Sequence, residues 1–221
     1  MQSLICKKVQ LTGCKVLFFL VHIDKRFLLD NMSLCSINMY RLIPLRSLRR
    51  TKGVKFDEIV PSDIPSNIDG IDRVIHGPYG MSPASCEGVK RPWYMHPSQD
   101  DNLMVLQGER FVDIYCAKQR QKTSFIITPD KVYKDGQLYI DHPSMVVWPA
   151  GIFHRIVSGD NGSISINFAV RRDPFDITTN FNIYDVNEAT GEYRAIRDGH
   201  LDQPNHGFPS YSSRMFDLLN G

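Results

Sequence analysis

Short apolar runs separated by turn residues fill the chain from residue 91 onward, a pattern typical of many-stranded antiparallel β structure. The clearest run is Gly162–Arg171, where large apolar side chains alternate with small or polar ones and predict a strand with one apolar face. The predicted strands are Arg91–His96, Asn102–Gln107, Glu109–Cys116, Thr123–Ile127, Gln137–Asp141, Ser144–Trp148, Phe153–Ser158, Gly162–Arg171, Phe181–Val186 and Tyr193–Ile196.

Turn residues and the scarcity of helical spacing define the fold class. Asp135-Gly136 and Asn161-Gly162 predict hairpin turns between neighbouring strands. The apolar residues within Ser210–Leu219 have helical spacing and predict one short C-terminal helix. Many short strands with almost no helix exclude a doubly wound α/β fold, and closure of the sheet removes exposed strand edges. We therefore predict an all-β jelly-roll barrel, a double-stranded β-helix, with a short C-terminal helix.

Charge divides the 221 residues into two parts. Residues 1–53 carry a net charge of +8, and residues 54–221 carry a net charge of −6. We predict a basic N-terminal arm over 1–53, either a targeting segment or a disordered tail, followed by one domain over 54–221. The acidic domain argues against nucleic-acid binding, because phosphate contacts need clustered Lys and Arg.

The arm also bears on localisation. Residues 32–53 contain four Arg and no acidic residue, as mitochondrial or plastid presequences do, and Met32 is an alternative start of translation. The apolar run 16–23 is far short of the ~20 residues that span a bilayer. The five Cys form no C-x-x-C pair, which leaves reduced thiols or a single bridge. We favour an intracellular protein without a transmembrane segment, delivered to mitochondria or plastids if residues 32–53 act as a presequence.

An apolar strand that runs into a Pro-x-Gly turn and then a histidine is the most informative feature. Pro149 fixes one backbone dihedral, Gly151 permits a tight turn, and His154 opens the next strand. These three residues match in full the P-x-G-x-x-H core of the second cupin motif, so the chain resembles the cupin superfamily of jelly-roll barrels. Pro143 and Ser158 replace the opening Gly and closing Asn of that motif.

The first cupin motif, H-x-H followed by E and then G, is matched in part. Gly108 fits the Gly position, and Asp101 stands seven residues before it in the Glu position. His96 then fits the second His, and Tyr94 replaces the first. The resemblance covers about residues 91–171.

Strand alternation tests which carboxylate belongs to the motif. Asp101 shares a face with Leu103 and Val105, so it points into the barrel if they do, and Asp100 then points toward solvent. A bulge would reverse this choice, and Asp101 could instead cap the turn after residues 97–99.

The resemblance implies a chemistry for these residues. In metal-binding cupins the motif positions hold a divalent ion, so His96, Asp101 and His154 are the expected ligands for Fe, Mn, Ni or Zn. Tyr94, His96 and His154 are the expected catalytic residues, with Tyr94 as an acid or a fourth ligand and Trp148 shaping the pocket. The alternative is that His96 and His154 only form hydrogen bonds inside the barrel and that Tyr94 only lines its wall.

Three functions follow from these residues. The first is a metal-dependent oxygenase or isomerase that acts on a small polar molecule. The second is a metal-free enzyme, because Gly88–His96 and Gln107–Asp113 resemble stretches of nucleotide-sugar 3,5-epimerases, although their Arg-Gly-Leu-His run is absent. The third is a non-catalytic cupin that binds or once bound a ligand. We expect a small-molecule ligand unless the pocket has decayed and left a structural module, and the resemblance implies a homodimer.

Overall fold

The structure is a computed structural model that describes residues 38–52, 54–64 and 67–202. The predicted C-terminal helix over 210–219 lies outside the described residues. No helix in the described part is long and apolar enough to cross a membrane. Cys86 and Cys116 are free thiols, and the other three Cys lie outside the described part.

Fourteen strands and one helical turn make up the described chain. The strands are β1 (Arg41–Pro44), β2 (Arg46–Thr51), β3 (Val54–Glu58), β4 (Gly70–His76), β5 (Met81–Ser82), β6 (Trp93–Met95), β7 (Gln99–Cys116), β8 (Gln121–Ile127), β9 (Val132–Lys134), β10 (Gln137–Ile140), β11 (Ser144–Trp148), β12 (Phe153–Arg171), β13 (Ile183–Val186) and β14 (Tyr193–Arg197). The helix α1 is Ile177–Asn180, and Pro61–Asp63 and Gly199–Asp202 form 3-10 turns.

Two long antiparallel strands, β7 and β12, organise the barrel because each pairs with different strands along its two halves. The C-terminal half of β7 pairs with β8 and its N-terminal end with β11. The N-terminal end of β12 pairs with β6 and its C-terminal half with β4. The pairings join twelve strands along the path β10-β9-β8-β7-β12-β6-β13-β14, from which β11 and β1 branch at β7, and β4 and β5 branch at β12. Strands β2 and β3 form a separate two-stranded sheet. The prediction of an all-β jelly-roll barrel with almost no helix is confirmed.

A bulge in β7 determines which of its side chains face the barrel. The register against β12 shifts between Val105 and Gln107, so the inward face changes from odd to even residue numbers. Leu103 and Val105 point inward before the shift, and Val112 and Ile114 do so after it. Together with strands β8 and β11 they form the largest apolar core.

The inner face of β12 is polar. Ser163, Ser165 and Asn167 are buried and face the interior, whereas Ile164 and Phe168 on the alternate positions are only partly buried on the outside. The apolar face predicted from the alternation therefore exists, but it covers the outer side of the barrel. Ser163 and Asn167 remain inside because they hydrogen-bond to the buried charged groups of Arg110 and Asp101.

Several predicted boundaries need correction. Asn102–Gln107 and Glu109–Cys116 form the single strand β7, and Phe153–Ser158 and Gly162–Arg171 form β12. No hairpin turn occurs at Asn161-Gly162, because that segment bulges within β12 without ending it.

The Asp135-Gly136 turn does connect β9 to β10, with both residues at positive φ. Residues 41–44, within the predicted arm, form β1 and pair with β11. A targeting role for residues 1–53 stays a prediction.

Candidate active site

Strand pairing brings the predicted site residues into one place. On neighbouring strands, Asp101 of β7 lies opposite Trp148 of β11, and His154 of β12 lies opposite Tyr94 of β6. His96 follows β6 directly and is buried. Because residues opposite one another across a strand pair share a face, all five line one cavity of about 260 Å³ inside the barrel.

Asp101 lies between the two histidines. Its Oδ2 atom is 3.3 Å from Nε2 of His96 and 3.8 Å from Nε2 of His154. The two imidazole rings have centroids 4.8 Å apart. The convergence that the motif spacing predicts is present, and all three side chains are buried.

Three uncharged donors hold the Asp101 carboxylate. Gln99 Nε2 and Asn167 Nδ2 donate to Oδ1 at 2.9 and 2.8 Å, and Trp148 Nε1 donates to Oδ2 at 3.0 Å. Burial alone would raise the pKa of Asp101, but the charge and hydrogen bond of His96, with the smaller effects of His154 and Gln99, hold it well below its usual range. The carboxylate is therefore ionised.

His96 has both ring nitrogens next to acceptors. Nδ1 donates to the carbonyl oxygen of Asn180, and Nε2 faces Asp101. Burial would lower the pKa of His96, but the Asp101 charge and the hydrogen bonds to Asp101 and Asn180 raise it above its ordinary value. This environment favours an imidazolium that forms an ion pair with Asp101.

In contrast to His96, His154 has an environment that favours the uncharged imidazole. Burial, and then the positive charge of His96, lower the pKa of His154 to about 4, against the smaller effect of Asp101. Its Nδ1 donates over 3.5 Å to the carbonyl oxygen of Ile152. Nε2 therefore carries the lone pair of a neutral imidazole at pH 7, next to the carboxylate.

Aromatic rings close the site around the two imidazoles. The Tyr94 ring lies 6.5 Å from that of His96, nearly parallel, and 6.1 Å from that of His154. The Phe181 ring meets His96 edge-on at 5.2 Å. Burial, and then the negative charge of Asp202, raise the pKa of Tyr94, so its phenol stays protonated and can donate a hydrogen bond.

The types of side chain at this site are those that bind divalent metal ions. His96, Asp101 and His154 supply two imidazoles and a carboxylate, and each His directs Nδ1 to a backbone carbonyl, as metal-ligating histidines do. The ligand atoms lie within 4.8 Å of one another. Two donors about 2.1 Å from one ion are at most about 4.2 Å apart, so the side chains would have to close in slightly.

Asp100 does not point toward solvent, contrary to the sequence prediction. It is buried, accepts a hydrogen bond from the backbone N of Ala150 at 2.8 Å and forms an ion pair with Arg172. Strand alternation does direct it away from Asp101, but the turn that contains Gly151, at φ 81°, covers it. Asp100 therefore anchors the turn that leads into His154.

The sequence alone did not identify several residues of the cavity. Gln99 and Asn167 could have been found by alternation, since each shares the inward face of its strand with a polar or charged neighbour. Arg110 also lines the cavity, but only the bulge in β7 turns it inward. The signal that could have marked this bulge is Gly108, an isolated glycine within the strand, which has a φ of 72°.

Comparison with known proteins identifies a fold likeness only. No protein-family model matches the chain, and no curated protein matches it. Similar solved structures include a sugar 3,4-ketoisomerase from Thermoanaerobacterium thermosaccharolyticum in complex with TDP, 12% identical, with a TM-score of 0.45 over 64% of this chain and 85% of that one. A TDP-quinovose 3,4-ketoisomerase from Campylobacter jejuni is 12% identical, with a TM-score of 0.44 over 64% and 90%. The rmlC epimerase of Mycobacterium tuberculosis is 10% identical, with a TM-score of 0.44 over 63% and 68%. Likenesses at this level do not bear on the reaction.

Proposed function

We propose that this chain is an enzyme that moves a proton on a small polar molecule inside the barrel, an isomerase or epimerase that needs no metal. One observation carries the proposal: a neutral imidazole and a protonated phenol, His154 and Tyr94, face the same cavity with ring centroids 6.1 Å apart. A base and an acid that line the same cavity can act on one small substrate bound there.

The proposed reaction starts on a carbon next to a carbonyl group. His154 Nε2 takes the proton, and the electron pair of the broken C–H bond forms an enolate, whose oxygen accepts a hydrogen bond from Tyr94. In isomerisation, the hydroxyl proton on the deprotonated carbon passes to the enolate oxygen, and His154 returns its proton to the former carbonyl carbon. In epimerisation, Tyr94 gives its proton to the opposite face of the deprotonated carbon, His154 keeps the proton it took, and both groups are reset by exchange with water. Asp101 Oδ2, 3.8 Å away, stabilises the His154 imidazolium while it exists.

The His96–Asp101 pair has a positioning role in this scheme. Both His96 nitrogens already have acceptors, so neither is free to take a proton from a substrate. The pair keeps a carboxylate next to His154 while the neighbouring positive charge keeps His154 neutral before reaction.

The cavity favours a small ligand. Its volume of about 260 Å³ is below the 300–1,000 Å³ typical of drug-sized ligands, and its lining combines amide, hydroxyl and aromatic groups. A hydroxylated carbonyl compound such as a sugar matches these contacts. Isomerase and epimerase are also the activities named for the similar structures, although the proposal does not depend on them.

Deuterium uptake from D₂O tests the proposal. We would use TDP-4-keto-6-deoxyglucose, the ligand of one similar structure, together with a panel of free keto-sugars, with EDTA present. We expect the protein to exchange a carbon-bound proton in at least one of them. His154→Gln should slow exchange at least ~100-fold. His142→Gln is the matched control, because His142 bonds to Leu45 outside the cavity. No exchange by the unaltered protein, or equal loss in both variants, would contradict the proposal.

A metal-dependent enzyme is the second candidate, favoured by the two imidazoles and the carboxylate within 4.8 Å of one another. His96, Asp101 and His154 would hold Fe, Mn, Ni or Zn, which would supply a Lewis acid for a bound oxygen atom. Elemental analysis of the purified protein decides between the candidates. Near-stoichiometric metal that His154→Ala removes would support this one, and protein that no such ion can load would exclude it.

A further inference from the structure

Arg110 is a buried cation without an anionic partner. Its side chain is 1% exposed and lines the same cavity as the two histidines. Nε donates to Ser163 Oγ at 3.0 Å, and Nη2 donates to the carbonyl oxygen of Val74 at 3.3 Å. Within the described part of the chain, no Asp or Glu oxygen lies within 4.0 Å of its guanidinium. Buried charges are normally paired, so this arrangement calls for an anion from outside the protein.

The polar groups around Arg110 fix its position without neutralising it. Ser163 Oγ lies 2.6 Å from Ser158 Oγ, which lies 3.0 Å from Nδ1 of His76. Burial, and then the charge of Arg110, lower the pKa of His76 to about 4, so His76 stays neutral. This chain of neutral groups orients the guanidinium and leaves its charge in place.

The register of β4 against β12 gives the cavity two chemically different ends. Asp72 pairs with Asn167 near Asp101, whereas His76 pairs with Ser163 near Arg110. Asp72 and His76 are four positions apart along strand β4, which corresponds to about 13 Å. Between them Ser165 is fully buried, and its hydroxyl has no hydrogen-bond partner among the described residues.

We propose that the substrate carries a carboxylate, which Arg110 binds at the end of the cavity away from Asp72. The planar guanidinium matches a carboxylate with two parallel hydrogen bonds. A carboxylate also suits the small cavity better than a phosphate, because it is smaller and brings one negative charge to match one cation. The inference rests on the proposed function, since it assumes a small molecule in this cavity, and it narrows the substrate to a small hydroxylated acid.

Binding of matched sugars tests the inference without requiring turnover. Glucuronate and glucose differ at C6, where glucuronate has a carboxylate, and glucose 6-phosphate supplies a phosphate at the same position. We expect calorimetry to show glucuronate bound at least 10-fold more tightly than either other sugar. Arg110→Gln should remove that preference, and Arg110→Lys should keep part of it.

Arg155→Gln is the matched control. Arg155 is also largely buried, but it forms an ion pair with Asp113 and stacks on Trp93 outside the cavity, so its loss should leave the preference unchanged. The inference is overturned if neither sugar binds, if glucose binds as well as glucuronate, if the phosphate is preferred, or if both Gln variants lose the preference alike. Selective glucuronate binding without deuterium exchange would keep the carboxylate site and reject only the isomerase.

Discussion

Replacing Asp101 with Asn removes the one negative charge between two buried imidazoles. The carboxylate is 4% exposed and accepts hydrogen bonds from Gln99, Asn167 and Trp148 in addition to its ion pair with His96. The amide of the Asp101→Asn variant keeps one acceptor oxygen, but its NH₂ group then faces N–H groups that donate to the other carboxylate oxygen in the unaltered protein. Removing one partner of a buried ion pair costs about 3–5 kcal/mol, because the other charge is left unpaired. We expect a loss of that size in the free energy of unfolding.

Urea unfolding at pH 7 with EDTA measures this loss, and Asp100→Asn is the neighbouring control. Asp100 pairs with Arg172, whose side chain is 57% exposed, and an Asn oxygen could still accept from the backbone N of Ala150. Because Arg172 is largely exposed, it stays hydrated when its partner is removed, so we expect a smaller loss for Asp100→Asn than for Asp101→Asn. Equal losses in the two variants, or a loss below about 1 kcal/mol for Asp101→Asn, would refute the assignment of a buried ion pair at Asp101.

Three further predictions follow from the same structure. The pKa of His154 is lowered to about 4 in the folded state, so the contribution of His154 to stability is complete above pH 6.5 and declines by up to about 3 kcal/mol as the pH falls toward 4. Urea unfolding at pH 7 and at pH 4.5 should show a smaller decline in stability for His154→Gln than for the unaltered protein. An identical decline in the two proteins would contradict this prediction. The outer face of β4 exposes two large apolar side chains, Ile71 and Ile75, which are 66% and 53% exposed, and we predict that they form the interface of the homodimer that the sequence resemblance implies. Light scattering should then show a dimer that Ile71→Glu dissociates and Leu138→Glu on β10 does not, and a protein that is monomeric throughout would reject this prediction. Gly151→Ala should lower the free energy of unfolding by about 1 kcal/mol, because only the φ of 81° at Gly151 opposes a side chain. Gly108→Ala should lower it more, because the added Cβ would lie 2.0 Å from a backbone oxygen. Thermal unfolding of the two variants tests this, and equal losses would contradict it.

The sequence was sufficient for the fold class and for the centre of the site. The Pro149-x-Gly151-x-x-His154 spacing places a histidine on an inward strand position directly after a tight turn, and Gly151 does adopt positive φ. Alternation placed Asp101 on the inward face, where it meets His154 and His96. Both inferences need only local geometry, which the sequence specifies.

What the sequence did not reveal depends on long-range pairing. The bulge in β7 changes the inward face and brings Arg110 into the cavity, and it is defined only by the register against β12. The apolar alternation of β12 suggests a core-facing strand, yet its polar side faces inward because Asp101 and Arg110 are buried there and need partners. Strand β4 was not predicted, although it supplies Asp72 and His76 to the cavity wall.

Two histidines in different protonation states share the Asp101 carboxylate, and the proposed chemistry requires both states. Nitrogen-15 NMR of the metal-free protein at pH 7, with His96→Gln and His154→Gln for assignment, measures the protonation of each ring. We predict that His96 is doubly protonated and that His154 is neutral, with its proton on Nδ1. A neutral His96 or a charged His154 would contradict the proposed acid–base chemistry of the barrel.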